Sequence, residues 1–179
     1  MKTELKNKLN NLCLEFSKKY EELITNYPIG TCYLIGHCLS EGLIKAGYNA
    51  KKVTGTLVLK DKNDKNIIYG KSKVKGKNIG YYHTWCILEI DNEVIIIDPS
   101  YKYNKTGIKI NLLKTNPNIP DFIITNSSKN WLYSYFPDKN LENQSNLSLN
   151  NVPTELIEKI IDDVFDCVMN NLYENKLSA

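Results

Sequence analysis

A chain of 179 residues has the size of one globular domain. Its 42% hydrophobic and 24% charged residues supply a core and exclude disorder as the main state. The formal charge of +3 argues against a nucleic-acid-binding domain, which carries a larger and more clustered basic excess. No apolar run approaches the roughly 18 residues that cross a bilayer. The start, Met1-Lys2-Thr3-Glu4-Leu5-Lys6, is charged where a signal peptide is apolar, so a soluble, cytoplasmic protein with no membrane partner is expected. Cys13, Cys32, Cys38, Cys86 and Cys167 are odd in number and scattered in spacing, which points to reduced thiols rather than a disulfide scaffold.

In chain order, Leu5, Leu9, Leu12, Phe16, Tyr20 and Leu23 recur at three- and four-residue steps, predicting a helix over 3–24. A second helix is expected from Thr31 to Ala46, stopped by Gly47. Val53–Leu59 reads as a strand, 61–66 as a turn and Ile67–Gly70 as a returning strand. Lys71–Lys77 carries four lysines and is expected as a solvated loop. Tyr82–Ile90 and Glu93–Asp98 form a hairpin around Asp91-Asn92. Segment 101–136 mixes short strand candidates with turns. Residues 137–152 are Asn- and Ser-rich and read as a polar linker. After Pro153, Ile157, Ile160, Ile161, Val164, Val168 and Leu172 make an apolar stripe, predicting a C-terminal amphipathic helix over 153–175. Both terminal helices are expected to pack on one shared core. The order of helices, then antiparallel strands, then a helix is that of an α+β domain.

The chain has two histidines, His37 and His83, which restricts the available chemistry. If Ile90 pairs with Glu93 across a two-residue turn, His83, Trp85 and Ile87 share a face with Ile96, Asp98 and Ser100. His83 is then the diagonal neighbour of Asp98. An imidazole N–H is a suitable partner for an aspartate ending a run of isoleucines, which is costly to bury alone. The plain alternative is that Asp98 only begins a turn at Asp98-Pro99. Cys32 falls in the first turn of the second helix, where unpaired backbone N–H groups and the positive dipole end favour thiolate. Gly36, about 40° round the helix from Cys32, leaves room for the strand carrying His83. His37 and Cys38 point elsewhere, His37 towards a polar face with Tyr33, Ser40, Glu41 and Lys45.

Gly30-Thr31-Cys32, then Ala46-Gly47-Tyr48-Asn49-Ala50, then Val53-Thr54-Gly55 resembles the transglutaminase-like superfamily. There a Gly-x-Cys opens a helix that ends in Gly before a strand closing in a Val-x-Gly-type segment. His83-Thr84-Trp85 and Asp98-Pro99 resemble its His-x-Trp and Asp-Pro motifs, in the same order. The resemblance spans about residues 26–100. It implies a papain-like α+β fold; it does not cover the N-terminal helix or the chain after about residue 103, and the whole of 1–179 is expected as one domain with the core at about 26–136. It further implies Cys32 as nucleophile, His83 as base and acid, and Asp98 orienting His83, with no cofactor and no metal.

The reaction expected is attack of Cys32 on an amide or peptide bond, as in a thiol peptidase or amidase acting on a protein or peptide. A protein-glutamine acyltransferase or a deamidase shares the same acyl-enzyme. The Cys32 N–H is one oxyanion donor, with Asn26 or Tyr27 candidates for the second, and Trp85 a candidate wall of the pocket. Two rivals are a zinc site drawing on Cys32, His37, Cys38, His83 and Cys86, and a non-catalytic peptide-binding module on the same fold.

Overall fold

In the computed structural model, which describes residues 1–24, 29–90 and 92–173, the first apolar stripe becomes helix α1 (Thr3–Leu23). It buries Leu9, Leu12, Cys13, Phe16 and Tyr20. Helix α2 (Cys32–Lys45) is apolar on more than one side, burying Leu34, Ile35, Cys38, Leu39 and Leu43. Such a helix needs cover all round. It lies between the sheet and helix α5 (Thr154–Leu172), whose stripe supplies Ile160, Val164, Val168 and Leu172. Helix α1 joins the same core, so the two terminal helices do share it. Helix α5 is described as far as Leu172, and residues 174–179 lie outside the described residues.

The sheet is built from β1 (Asn49–Lys60), β2 (Asn66–Tyr69), β3 (Lys77–Gly80), β4 (His83–Ile90), β5 (Glu93–Asp98), β6 (Ile123–Thr125) and β7 (Tyr133–Pro137). Their order is β3-β2-β1-β4-β5-β6, with β7 also paired to β1. The β2–β3 pair is parallel and the others antiparallel, which makes this an α+β protein with a mixed sheet. Alternation divides the sheet's residues between two cores. Cys86, Leu88, Ile95 and Ile97 meet the three long helices. Leu57, Leu59, Trp85 and Ile96 meet Tyr101 and Ile108 of helix α3 (Tyr101–Ile110), together with Ile123 and Tyr135.

Several boundaries differ from those expected. The first strand extends in both directions beyond Val53–Leu59, because its polar first half is held by backbone pairing to β4. Lys77 belongs to an edge strand rather than to the lysine loop. The segment read as a polar linker, 137–152, contains helix α4 (Lys139–Leu149), begun by Asp138, whose side chain accepts from the Asn140 N–H. Its inward face is marked by a hydroxyl as well as by Leu141. Ser145 is fully buried and hydrogen-bonds Thr54 Oγ1 at 2.9 Å, which hydropathy patterning does not register. No helix among the described residues is long and apolar enough to cross a membrane.

Strand β1 changes partners at Gly55, which pairs with His83 at the start of β4 and with Pro137 at the end of β7. A Cβ at position 55 would collide with the Phe136 carbonyl oxygen and lie 2.8 Å from Pro137 Cα, both backbone atoms. Relief requires β7 to move. Gly55→Ala is therefore expected to cost about 1–3 kcal/mol of stability, the usual range for overpacking, measured by urea unfolding. An unchanged midpoint would show that β7 is not held against Gly55.

Candidate active site

The Ile90–Glu93 pairing is observed, and the two-residue hairpin puts His83, Trp85, Ile96 and Asp98 in the expected relation. His83 opens β4 and Asp98 ends β5, so the ring and the carboxylate meet at the same end of the hairpin. His83 Nε2 lies 2.7 Å from Asp98 Oδ2, with both side chains completely buried. Asp98 also has the turn role of the plain alternative. Its Oδ1 accepts from the Ser100 N–H at 3.1 Å and from Ser100 Oγ at 2.6 Å. One carboxylate oxygen serves the turn and the other serves the histidine. Tyr135 of β7 donates a further hydrogen bond to Oδ2 at 2.7 Å.

Cys32 is the first residue of α2, and its sulfur is among the groups near the His83 ring that favour the ring's protonated form. Asp98 engages Nε2, so the ring nitrogen left for the thiol is Nδ1. The close approach rests on Gly36, where a Cβ would stand 2.8 Å from Thr84 Cγ2 and 3.3 Å from the Trp85 amide nitrogen. Burial disfavours a charged ring at His83, but the Asp98 carboxylate and the Cys32 sulfur outweigh it and raise the pKa to about 10. Burial likewise opposes ionisation of Asp98, yet His83, Ser100 and Tyr135 hold its carboxyl below the usual carboxylate value. Cys13, Cys38, Cys86 and Cys167 all have thiols pushed up chiefly by burial, the last three to about 12.

Cys32 is 7% exposed, and that exposure faces a cleft of about 460 Å³. Tyr33, Tyr69, Tyr81 and Tyr82 line it with Asn104 of α3 and Ser148 of α4, and no charged side chain takes part among the described residues. Tyr82 and Ser148 share a hydrogen bond of 2.7 Å, so the supposed linker forms part of the wall. Trp85 does not line the cleft. It is buried behind His83, stacked on its ring at 6.2 Å between ring centroids, and with Tyr135 it keeps water from the His83–Asp98 pair. The oxyanion candidates Asn26 and Tyr27 lie outside the described residues.

The other histidine and cysteines lie elsewhere. His37 is half-buried on α2 beside Glu41, while Ser40, expected with it on a polar face, is buried and donates to the Gly36 carbonyl. Cys86 points into the helix-covered core, on the face opposite to Trp85. Among the described residues no three His, Cys, Asp or Glu side chains gather to hold a metal. Sequence patterning missed Asn104 and Tyr135, which come from the segment with no regular periodicity. The only signal they offered was aromatic and amide content.

No family model and no curated protein matches the chain. A crystal structure of a genomics target superposes with a TM-score of 0.55 at 8% identity, covering 89% of this chain and 78% of that one. At that identity the likeness concerns the fold alone.

Because folding raises the His83 pKa, its protonated form stabilises the native state. That contribution is complete below the ordinary value of 6.5 and is lost as pH rises through about 10. Asp98→Asn, which removes the charge opposite the ring, is expected to cost about 3 kcal/mol near pH 6. The gap to the parent protein should narrow as pH rises to about 10, measured by urea unfolding at each pH. A gap constant across that window would show that the pair is not charged.

Proposed function

We propose that the chain is a cysteine-dependent acyl-transfer enzyme, a thiol peptidase or amidase acting on protein or peptide amides. The observation that carries this reading is the buried His83–Asp98 pair, 2.7 Å apart, with the Cys32 sulfur beside the ring and facing a cleft. A papain-like core is part of the same proposal. It is supported by a cysteine at the mouth of a helix that packs across the strand bearing the histidine.

The proposed steps are as follows. The Cys32 sulfur attacks the amide carbonyl, forming an S–C bond, and the Cys32 backbone N–H at the start of α2 faces the oxygen that gains charge. The C–N bond then breaks, and His83 gives the departing nitrogen its proton from Nδ1. Asp98 holds the ring by Nε2 throughout and remains ionised. Water enters past Tyr81, 87% exposed at the rim, and gives a proton to His83 as its oxygen joins the thioester carbon. Sulfur then leaves, and the Cys32–His83 pair is restored. A lining free of charged side chains suits a neutral acyl group better than a phosphate-bearing carrier. Buried free thiols at all five cysteines fit a reducing compartment such as the cytoplasm.

Iodoacetamide at about pH 6 should label Cys32 ahead of the other four cysteines, read by peptide mass mapping. His83→Ala should slow that labelling. Cys32→Ala or His83→Ala should lower turnover of a susceptible amide by about 10⁴-fold. Uniform labelling of all five thiols, or labelling of Cys32 unaffected by His83→Ala, would overturn the reading. Added primary amine captured in the product would assign transfer rather than hydrolysis.

A further inference from the structure

We propose that Asn104 is the second oxyanion donor of this site, an inference that rests on Cys32 being the nucleophile. Asn104 stands in the first turn of α3, is 5% exposed, and lines the same cleft as Cys32. A buried carboxamide brings two N–H donors that are costly to leave unbonded. Among the described residues its Nδ2 has one hydrogen-bond contact, to His83 Nδ1 at 3.5 Å, too long for a strong bond.

That contact becomes unfavourable in the working state of the triad. With Nε2 committed to Asp98, the imidazolium carries its other proton on Nδ1, and Nδ1 and Nδ2 are then both donors. The carboxamide N–H groups therefore need an acceptor within the cleft, which the Cys32 sulfur also lines. A carbonyl oxygen under attack by Cys32 is such an acceptor, and it becomes a stronger one as it gains negative charge.

The backbone around Asn104 is fixed before any substrate arrives. Its N–H donates to the Ser100 carbonyl at 3.2 Å, and its carbonyl accepts from Tyr69 Oη at 3.4 Å. Ser100 is itself bonded to Asp98, so one short segment sets both the acid that orients His83 and the amide that meets the substrate. Of the tyrosines in the cleft, Tyr82 is less suited, because its Oη is engaged by Ser148 at 2.7 Å.

Two reagents separate this role from a merely structural one. p-Nitrophenyl acetate acylates Cys32 through a tetrahedral oxyanion, releasing p-nitrophenolate. Iodoacetamide alkylates the same sulfur by displacing iodide, with no oxyanion. Asn104→Ala, and the similarly sized Asn104→Leu, should slow acylation by about 10²-fold or more while alkylation at the same pH stays within about twofold of the parent. The alkylation rate also reports that each variant has kept an intact Cys32–His83 pair. Equal loss in both reactions would overturn the proposal and make Asn104 a residue that positions His83; unchanged acylation would overturn it outright. Failure of the parent protein to react at Cys32 would instead sink the catalytic reading beneath it.

Discussion

A carboxylate with no solvent exposure is the constraint around which this end of the molecule is organised. Asp98 accepts hydrogen bonds from His83, from Tyr135 and twice from Ser100. They come from three structural obligations: a neighbouring strand, a strand far along the chain, and the turn leading into α3, which supplies two of them. Leaving any of them unmade would strand charge in a dry interior, where the penalty is several kcal/mol. The bonds therefore lock β4, β5, β7 and the start of α3 into one arrangement. The protonated ring they favour is the same species that an acyl-transfer mechanism requires at its start.

The cysteine is delivered from the other side of the sheet's architecture. Helix α2 is squeezed between the sheet and α5, and Gly36 removes the side chain that would hold it away from Thr84 and Trp85. The terminal helices thus bear on the site without touching it, since they fix how α2 lies and where its first residue falls. Gly55 has the matching role within the sheet. It allows β1 to exchange β4 for β7 beside His83, and β7 then brings Tyr135 to Asp98.

How much was legible in the sequence follows from how local each signal was. Three elements were readable from periodicity: α1, the β4–β5 hairpin with its register, and the stripe of α5. Each rests on side chains a few residues apart. The pairing of His83 with Asp98 was readable for the same reason, since a two-residue turn leaves little freedom in register. Helix α4 was not readable, because its buried face relies on a Ser145–Thr54 hydroxyl bond to a distant strand. Trp85 was legible as a neighbour of His83, but alternation alone did not tell whether its ring would look into the cleft or into the core behind.

The sequence by itself determined the class of the domain, the helix that begins at Cys32 and the strand partners of the hairpin. Those depend on backbone preference and on the burial of regularly spaced apolar side chains. Only the tertiary structure decided that Tyr135 and Asn104 surround the histidine, that Trp85 backs it, and that the cleft is lined by uncharged tyrosines. Such contacts join segments whose separation along the chain leaves no periodic trace. Their geometry is settled when two faces of one sheet find their covering helices.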